Sequence, residues 1–532
     1  MIEKIYIENF KVIKRLELDF NSDINIIVGD NETGKSTIIE AINMALTGQI
    51  NRRYINTELT PYLFNKEIQK EYIEKINNEE YIFPPSIVIE LYLKENEETV
   101  KLKGTNNKHR ENAVGISLRI EFDEDYQEEY ETYIKESEEI LNIPSEYYTV
   151  NWYSFAFQNI TKKRIPINTT LIDATTIRLQ YRTDYYIQEI INGNLSAKEK
   201  TQLALTYREL KQKFSEDKSL SRINEQLKEE KGKISEKDLT VSIDISQKTS
   251  WEASLTTYLD EIPFQYIGKG DQNILKTLLA LERKPEDTQV VLIEEPENHL
   301  SFSTMNKLIK IINEKCEGRQ LFITTHSTFV LNKLGLDNVI LLGNDLKTIT
   351  LRDLKPETQR YFQKLPGYDT LRLLIAKKAI LVEGPSDELI IQKAYKQKYD
   401  KLPIEDGIDI ISVRGLSFKR FLEIAENIEK EVIMITDNDG DYVEKIEKKY
   451  EDLIDKSNIR ICYDKDNNVE TLEKQIIKYN ELDTLNEIIG CNKESEDELF
   501  KYMLNNKTEC ALRIFESEIE IIIPKYISDA IE

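Results

Sequence analysis

The sequence predicts an α/β protein with two successive α/β regions, the first of which contains a helical insertion. The N-terminal region has three strand-like apolar runs between residues 4 and 28, followed by a helical pattern at 35–46. Between 195 and 238 the chain becomes polar, and its sparse apolar residues recur at helical spacing. After a polar stretch with two prolines at 354–369, strand and helix patterns alternate from 379 to 462, and the last helix of this series is predicted over 442–454. Such alternation predicts a small, mostly parallel sheet with active groups at the carboxyl ends of its strands.

The composition excludes several classes of protein. The chain has 532 residues and is 40% hydrophobic, so we expect a globular protein with more than one domain. No apolar run approaches the roughly 18 residues of a membrane span, and the N-terminus lacks a signal-peptide pattern. We therefore expect a cytoplasmic protein without a membrane partner. The cysteines are scattered and form no C-x-x-C pair, which argues against a zinc ribbon or a disulfide framework: Cys316, Cys462, Cys491 and Cys510.

The charge balance argues weakly against a nucleic-acid partner. The chain has 72 Lys and Arg and 96 Asp and Glu, a net charge of −24. Nucleic-acid binders usually carry a basic excess. The strongest basic cluster is 162–164, with Arg178 and Arg182 further along, and a cluster of this kind is more often a solvated surface. Binding depends on local patches and metal ions, so the net charge alone does not decide.

A glycine-rich loop at 29–36 predicts a nucleotide site. Its sequence GDNETGKS matches the pattern G-x-x-x-x-G-K-S/T between a strand and a helix, the context in which backbone N–H groups surround a phosphate. Lys35 is expected to contact the β and γ oxygens, and Ser36 to bind Mg²⁺. The predicted nucleotide-binding residues of this loop are Gly29, Asn31, Gly34, Lys35, Ser36 and Thr37.

Two later strands are predicted to complete the ATP site. The apolar run at 290–293 ends in two acids, of which Glu294 is expected to hold Mg²⁺ and Glu295 to polarise the attacking water. In isolation this pattern is also that of a buried strand ending in surface acids. About thirty residues later a second strand ends in TTHS, which places His326 as a sensor of the γ-phosphate. ABC-type ATPases have this order of motifs.

The string GKGDQ ahead of these strands resembles the loop that ABC ATPases present to nucleotide on a second subunit. Gly268, Gly270 and Gln272 are the predicted contacts, because a glycine-rich helix N-terminus favours phosphate. ATP would then lie between two copies of the chain, and hydrolysis would require a dimer.

A second set of acids predicts a metal site. Glu383 ends one strand and Asp387 opens the next helix, while Asp437 and Asp439 follow a strand about fifty residues later. Carboxylates gathered at one sheet edge repel each other unless divalent cations neutralise them, and oxygen ligands suit Mg²⁺ or Mn²⁺. The alternatives are a polar turn or a Ca²⁺ loop, but an EF-hand fails here because Tyr442 and Lys448 occupy the positions of its Gly and Glu.

Together these motifs resemble the OLD (overcoming lysogenization defect) family of ATP-dependent endonucleases. The matching strings are IENFK, the glycine-rich loop, GKGDQ, IEEPENHL, TTHS, LVEGPSD and TDNDGD, spread over residues 7–441. The resemblance implies an ABC-type ATPase with a helical dimerisation insertion, followed by a two-metal Toprim nuclease. It also implies a further acid and a late lysine, best matched by Glu473 and Lys507, with Glu470 and Lys501 as competitors. Family members commonly act in antiphage defence, sometimes with a partner protein or a retron.

The resulting hypothesis is a metal-dependent DNA endonuclease or nickase that uses ATP and acts as a homodimer or higher homo-oligomer. The expected domains are the ATPase in two parts (1–180 and 246–360), the insertion (181–245) and the Toprim nuclease (370–532). Its catalytic residues are expected to be Glu295, His326, Glu383, Asp437 and Lys507. The first alternative is a DNA-binding ATPase of the RecF/SMC type without nuclease activity. Toprim primases and topoisomerases are further alternatives. A primase would need a zinc ribbon, which the cysteine pattern does not provide. A topoisomerase would need a nucleophilic tyrosine, which cannot be picked out among the 28 tyrosines of the sequence.

Overall fold

The computed structural model describes residues 1–50, 53–78, 82–137, 139–161, 164–173, 195–229, 239–242, 251, 258–282, 288–315, 317–343, 346–415 and 417–532. The chain divides into two compact units. The first comprises residues 1–174, 280–298 and 302–532, and the second comprises 175–279 with 299–301. The predicted limits of the insertion, near 180 and 245, and the basic residues at 162, 163, 178 and 182 lie outside the described residues. None of the described helices has the length and apolar character needed to cross a membrane.

An antiparallel sheet begins the first unit and packs on the helix that follows the glycine-rich loop. It has the order β2-β1-β6-β8-β7, and β9 pairs with β8. Ile5 and Ile7 of β1 are buried against α1 because alternate residues of a strand face the same side. The elements described before residue 174 are β1 (Ile2–Phe10), β2 (Ile13–Asp19), β3 (Ile24–Gly29), α1 (Lys35–Thr47), β4 (Gln49–Ile50), β5 (Arg53–Tyr54), α2 (Lys66–Asn77), β6 (Ile87–Leu93), β7 (Lys103–Gly104), β8 (Ala113–Phe122), α3 (Gln127–Glu136), β9 (Tyr148–Ser154) and β10 (Thr169–Asp173).

The second unit contains the polar helices that the sequence predicts. Ser196 caps the first of them in a capping box with Glu199, which satisfies the free N–H groups of the helix N-terminus. The described elements of this region are α4 (Ala197–Ser215), α5 (Lys218–Glu229), β11 (Tyr258–Leu259), β12 (Ile262–Pro263) and α6 (Lys269–Glu282).

A mostly parallel sheet in the first unit brings the predicted nucleotide motifs to one edge. Its order is β10-β13-β14-β3-β15-β16, and only β16 runs antiparallel to its neighbour. All six residues of β3 are buried, as expected of a central parallel strand covered on both faces. Its later elements are β13 (Val290–Glu294), α7 (Phe302–Lys315), β14 (Gln320–Thr324), α8 (Thr328–Leu334), β15 (Val339–Leu342) and β16 (Thr348–Thr350).

The C-terminal region has a four-stranded parallel sheet of order β18-β17-β19-β20, so the predicted parallel α/β sheet is confirmed. Strands β17 and β19 are neighbours, as the acidic motifs required. The elements are α9 (Pro356–Lys364), α10 (Thr370–Ile375), β17 (Lys378–Val382), α11 (Pro385–Tyr399), β18 (Ile408–Ser412), α12 (Phe418–Asn427), β19 (Val432–Ile435), α13 (Glu451–Ile454), β20 (Ile459–Cys462), α14 (Leu472–Tyr479), α15 (Leu482–Ile489), α16 (Glu496–Asn505), α17 (Lys507–Glu516) and α18 (Lys525–Ala530).

One predicted helix, 442–454, is wrong as a continuous element. The chain instead forms a π-helical turn at Val443–Glu447 and then the short α13. The N–H of Lys448 bonds to the carbonyl of Val443, five residues back. Ile446 and Tyr450 are both buried, although charged residues surround them in the sequence. The wider turn explains why a regular helical repeat fails here.

Two buried polar residues join the segment between the α/β regions to its neighbours. Asn332 of α8 donates from Nδ2 to the carbonyls of Pro366 (3.2 Å) and Tyr368 (3.0 Å) and accepts from the hydroxyl of Thr370 at 2.7 Å. Glu423 of α12 accepts from Thr358 of α9 and forms an ion pair with Lys355 at 3.4 Å. The segment at 354–369, predicted as a boundary, is therefore ordered and bonded on both sides.

We expect Asn332→Ala to lower the free energy of unfolding by about 2–4 kcal/mol, because three hydrogen bonds are lost and buried polar groups remain unpaired. Chemical denaturation of the full chain, followed by circular dichroism, measures this. Asn306→Ala is the control, since the side chain of half-buried Asn306 has one hydrogen bond in the described structure, a local one to the Phe302 carbonyl of α7. Its effect should stay within about 0.5 kcal/mol. Equal effects of the two substitutions would contradict the prediction.

Candidate active sites

The glycine-rich loop closes around the ammonium group of Lys35. Lys35 is buried, and its Nζ atom donates to the carbonyls of Gly29 at 2.9 Å and Asp30 at 2.6 Å. Gly34 has a φ of +102°, and a Cβ atom at Gly29 would lie 2.6 Å from the Leu342 carbonyl, so both positions require glycine. Burial lowers the pKa of Lys35, and the charges of Glu295 and Asp30 oppose this shift.

The other predicted residues of this loop lie at the N-terminus of α1 or just before it. Asn31 and Ser36 are exposed, whereas Thr37 is buried. N–H groups at a helix N-terminus and the lysine ammonium form a site suited to phosphate. The structure thus places the predicted residues together in the loop and the first turn of α1, and their contacts with nucleotide remain a prediction.

Glu295 and His326 meet beyond the ends of β13 and β14. These strands are parallel neighbours, and Glu294 pairs with Thr324 in their register. The His326 Nε2 atom lies 3.8 Å from Glu295 Oε1. Asn298 Nδ2 donates to Glu295 Oε2 at 2.6 Å. The carboxylate of Glu295 is therefore held between two polar groups, within electrostatic reach of Lys35.

Glu297, for which the sequence motifs predict no role, lies in the same turn. Its Oε1 atom accepts from the Thr325 hydroxyl and from the His326 N–H, both at 2.8 Å. Burial raises the pKa of Glu297, and the neighbouring charge of Glu295 raises it further. Glu297 is part of the string EPENH, but the sequence of a turn does not show which residues its side chains contact.

The GKGDQ loop lies in the second unit, and α6 begins within it at Lys269. Gly268 is exposed, and a Cβ atom at Gly270 would lie 2.6 Å from the His299 carbonyl. Gln272 is buried, and its Nε2 atom donates to the carbonyls of Phe264 (3.0 Å) and Ile267 (2.9 Å). The amide of Gln272 therefore holds its own loop, and the contact of this loop with nucleotide on a second copy stays a prediction.

Three predicted acids meet at the carboxyl edge of the C-terminal sheet. Glu383 follows β17, and its Oε1 atom accepts from the Thr436 hydroxyl at 2.7 Å, just before Asp437. Asp387, in the first turn of α11, accepts from the N–H of Gly384 at 3.0 Å. Burial and the charge of Glu383 raise the pKa of Asp387 to about 7. Burial, Asp387 and Glu383 raise the pKa of Asp437 to about 8. The acids are therefore close enough to repel each other.

Glu473 and Lys507 belong to the same cluster. Glu473 is buried at the start of α14, and its charge contributes to the raised pKa values of Asp387 and Asp437. Lys507 Nζ lies 3.2 Å from Glu473 Oε1. The competing acid Glu470 instead pairs with Lys474 at 2.7 Å. Lys501, the competing lysine, is exposed. The geometry thus favours Glu473 and Lys507, and their roles remain predictions.

Asp439 is less closely associated with these acids. It is exposed, has a φ of +48° and is not among the main charges that raise the pKa of Asp387 or Asp437. Asn438 is buried between the two aspartates of the motif, and its Nδ2 atom donates to the carbonyls of Asp464 and Asp466, each at 2.9 Å. The loop after β20 is thereby fixed beside the motif.

Tyr526 of α18 also lies near these acids, although no sequence motif predicts it. It is buried, and burial together with the charges of Asp437 and Asp387 raises its pKa well above the ordinary value. Nothing in the sequence separates this residue from the other tyrosines of the chain. Its position adds a phenol to the surroundings of the acids.

The donor set fits a divalent cation in its chemistry. The acids offer only oxygen ligands, which Mg²⁺ and Mn²⁺ prefer. Glu473 Oε2 is buried without a hydrogen-bond partner in the described structure, as expected of an atom that takes a further ligand. As the side chains stand, the described part of the chain contains no group of three His, Cys, Asp or Glu arranged as a metal centre. Glu383, Asp387, Asp437 and Glu473 are the residues that would hold a cation.

Comparison with known protein families identifies both α/β regions. A family model described as an AAA ATPase domain matches residues 1–331. A second, described as the overcoming lysogenization defect protein-like TOPRIM domain, matches residues 374–439. The chain belongs to the OLD family. This OLD-family protein is an ATPase fused to a TOPRIM nuclease, and the predicted α/β fold class is confirmed.

Relatives of the OLD-family protein cover most of its length. Endonuclease GajA of Bacillus cereus is 23% identical over 467 residues, 82% of this chain and 74% of the relative. An ATP/GTP phosphatase of Helicobacter pylori is 22% identical over 354 residues, 62% of this chain and 85% of the relative. Among solved structures, the C-terminal region of the Xanthomonas campestris pv. campestris OLD protein is 19% identical, with a TM-score of 0.25, and covers 29% of this chain and 92% of its own.

We expect Asp437→Asn to stabilise the OLD-family protein in chelator at high pH. Burial and the charges of Asp387 and Glu383 raise the pKa of Asp437 to about 8 in the folded protein, so Asp437 retains a proton that the unfolded chain releases. Wild-type stability therefore falls as the pH rises from the ordinary carboxyl range to about 8. The amide removes this loss. At pH 8.5 the free energy of unfolding of Asp437→Asn, measured by denaturation, should exceed that of the wild type by at least about 1.4 kcal/mol, the equivalent of one pKa unit. This difference should become smaller toward pH 5.

Asp466→Asn is the matched control for this comparison. Lys478 lowers the pKa of Asp466, so its charge is favourable in the folded protein. No gain is expected at pH 8.5. A stability of Asp437→Asn that runs parallel to wild type across the pH range would refute the assigned sign.

Proposed function

We propose that this OLD-family protein is a divalent-metal-dependent endonuclease or nickase that cleaves DNA and uses ATP. The observation that carries the proposal is the cluster of four mutually repelling carboxylates beside Lys507, at the carboxyl edge of a parallel sheet. The name of the Bacillus cereus relative, an endonuclease, supports the same activity. The RecF/SMC-type alternative, in which the acidic site is vestigial, predicts ATP turnover without metal-dependent cleavage. The complete set of carboxylates in the C-terminal region argues against it.

In the nuclease site, Glu383, Asp387, Asp437 and Glu473 hold Mg²⁺ or Mn²⁺, and Asp439 is the remaining candidate ligand. When bound, such cations orient a phosphodiester, activate water and stabilise the leaving oxygen. Lys507 has a flexible ammonium group that can donate to a phosphate oxygen. Lys507 forms an ion pair with Glu473. When Lys507 moves toward the substrate, the Glu473 carboxylate therefore loses this partner and becomes exposed.

In the ATP site, Lys35 and the N–H groups at the start of α1 bind the phosphates of ATP, and Ser36 and Glu294 hold Mg²⁺. Glu295 accepts the proton of the attacking water, a role that suits its position between Asn298 and His326. His326 donates toward the γ-phosphate. Closing the site in this way requires Gly268, Gly270 and the rest of the GKGDQ loop from a second copy.

A homodimer, or a higher homo-oligomer, is therefore part of the proposal. The helix α4 has an apolar stripe formed by Leu203, Tyr207, Leu210 and Phe214, separated by four, three and four residues. This is the spacing of a coiled-coil seam. Leu210 and Phe214 are 62% and 57% exposed, so the stripe has a large apolar surface available to a second copy of the same helix.

The cellular role we propose is antiphage defence in the cytoplasm, alone or with a partner protein or a retron. It rests on the family resemblance of the motifs. A net charge of −24 leaves DNA binding to local basic patches and to the metals. The efficiency of plating of a phage should be lower on cells that express the wild-type chain than on cells that express Asp437→Ala. Equal efficiencies would refute the defence role.

We expect purified protein to cut or nick plasmid DNA with Mg²⁺ or Mn²⁺, and Asp437→Ala to lower the rate by at least about 100-fold because the cation loses a ligand. Gel electrophoresis of supercoiled plasmid, with and without ATP, measures both. Lys35→Ala, tested in parallel, separates the ATP site from the nuclease site. Glu444→Gln is the control, because Glu444 is a surface acid of the same segment paired with Lys448. Cleavage that survives Asp437→Ala would refute the nuclease site.

We expect Leu210→Glu to weaken the dimer, because it puts a charge into the proposed seam. Light scattering after gel filtration gives the mass over a range of protein concentrations. Leu205→Glu is a matched control: Leu205 is 56% exposed on the same helix but lies off the stripe. The dimer proposal for this surface fails if both substitutions leave the mass unchanged, or if both change it equally.

A further inference from the structure

Glu297 connects the turn after β13 to the loop after β14. Its Oε1 atom accepts two hydrogen bonds of 2.8 Å, from the Thr325 hydroxyl and from the His326 N–H. Its Oε2 atom is buried and has no hydrogen-bond partner in the described structure. A buried oxygen without a partner reduces stability, and such groups in native proteins need a functional explanation.

The two bonds hold the backbone of His326 at a fixed place relative to Glu295. The β13–β14 ladder ends with the pair Glu294 and Thr324, followed by one bond from the Glu295 N–H to the Thr324 carbonyl at 3.0 Å. Past this point, the described hydrogen bonds tie the two turns together through Glu297. The imidazole of His326 extends from this backbone to 3.8 Å from the Glu295 carboxylate.

We propose that Glu297 is a positioning residue for ATP hydrolysis, which sets the place of His326 opposite Glu295; the proposal rests on the roles proposed for those two residues. Hydrolysis needs the water-activating group and the γ-phosphate sensor at a fixed separation, and small displacements of such groups have large effects on rate. Glu297 acts through the Thr325 hydroxyl and the His326 N–H. ATP binding through Lys35 does not involve these bonds.

The conservative substitution Glu297→Gln separates hydrogen bonding from charge. A glutamine keeps one carbonyl oxygen that can accept both bonds, and burial already favours a neutral side chain at this position. Glu297→Ala removes the acceptor altogether. The amide should therefore restore function that the alanine loses.

The test measures steady-state ATP hydrolysis by the full chain with Mg²⁺ and, separately, equilibrium binding of a fluorescent ATP analogue. We expect Glu297→Ala to lower kcat about 10- to 100-fold while analogue affinity stays within about twofold. Glu297→Gln should keep kcat within about threefold of wild type. Retained analogue affinity shows that Glu297→Ala is folded. Glu314→Ala, at a surface acid of α7 paired with Lys310, is the matched control.

Combination with His326→Ala distinguishes positioning from an independent effect. If Glu297 acts through His326, the double variant should be no slower than His326→Ala by more than about twofold, because coupled residues are not additive. An additive double variant, a Glu297→Gln as slow as the alanine, or a wild-type kcat for Glu297→Ala would each overturn the inference. Unchanged hydrolysis by His326→Ala and Glu295→Ala would instead overturn the proposed ATP-site roles.

Discussion

Parallel pairing of neighbouring strands determines where the charged groups of this protein meet. In the ATPase sheet, β3, β13 and β14 run in the same direction, so the glycine-rich loop, Glu295 and His326 all follow strands that end at one edge. In the C-terminal sheet, β17 and β19 bring Glu383 and Asp437 together in the same way. The residues that meet are more than 250 positions apart in the ATPase sheet and about 50 apart in the C-terminal sheet. They become neighbours because paired parallel strands end at the same edge of the sheet.

The two sites differ in how their charges are balanced. In the ATP site a buried lysine lies within reach of an acid, and the shifts due to burial and to opposite charge partly cancel. In the nuclease site like charges surround each other, so burial and repulsion act in the same direction on Asp387 and Asp437. Lys507 is the cation that the chain itself supplies, through its ion pair with Glu473. An excess of negative charge inside a folded protein is the electrostatic condition that divalent cations relieve.

Motifs of fixed spacing made much of this architecture predictable. The glycine-rich loop, the acids after β13 and the two acidic strand ends each combine a local pattern with a strand or helix context, and the sheet edges follow from the alternation of elements. Contacts made by turns were not predictable. Glu297 lies in a predicted string, yet its bonds to the β14 loop depend on tertiary placement. Tyr526 comes from a helix about 90 residues after Asp437 and carries no pattern at all. The helix predicted over 442–454 was wrong because a π-helical turn at Val443–Glu447 interrupts it, and no local sequence pattern marks that turn.

The bonds made by Asn332 have a consequence for how such a protein can change over evolution. The short helix that carries Asn332 begins at Thr328, immediately after the TTHS loop, and its seven residues end against the chain that enters the C-terminal region. The ATPase region and the C-terminal region are therefore not independent domains that can be exchanged freely. In a chimera that replaced the C-terminal region and the chain from Pro366 to Thr370, the buried side chain of Asn332 would lose its hydrogen-bond partners. Recombination that keeps these bonds must therefore join the two halves either before Asn332 or after Thr370.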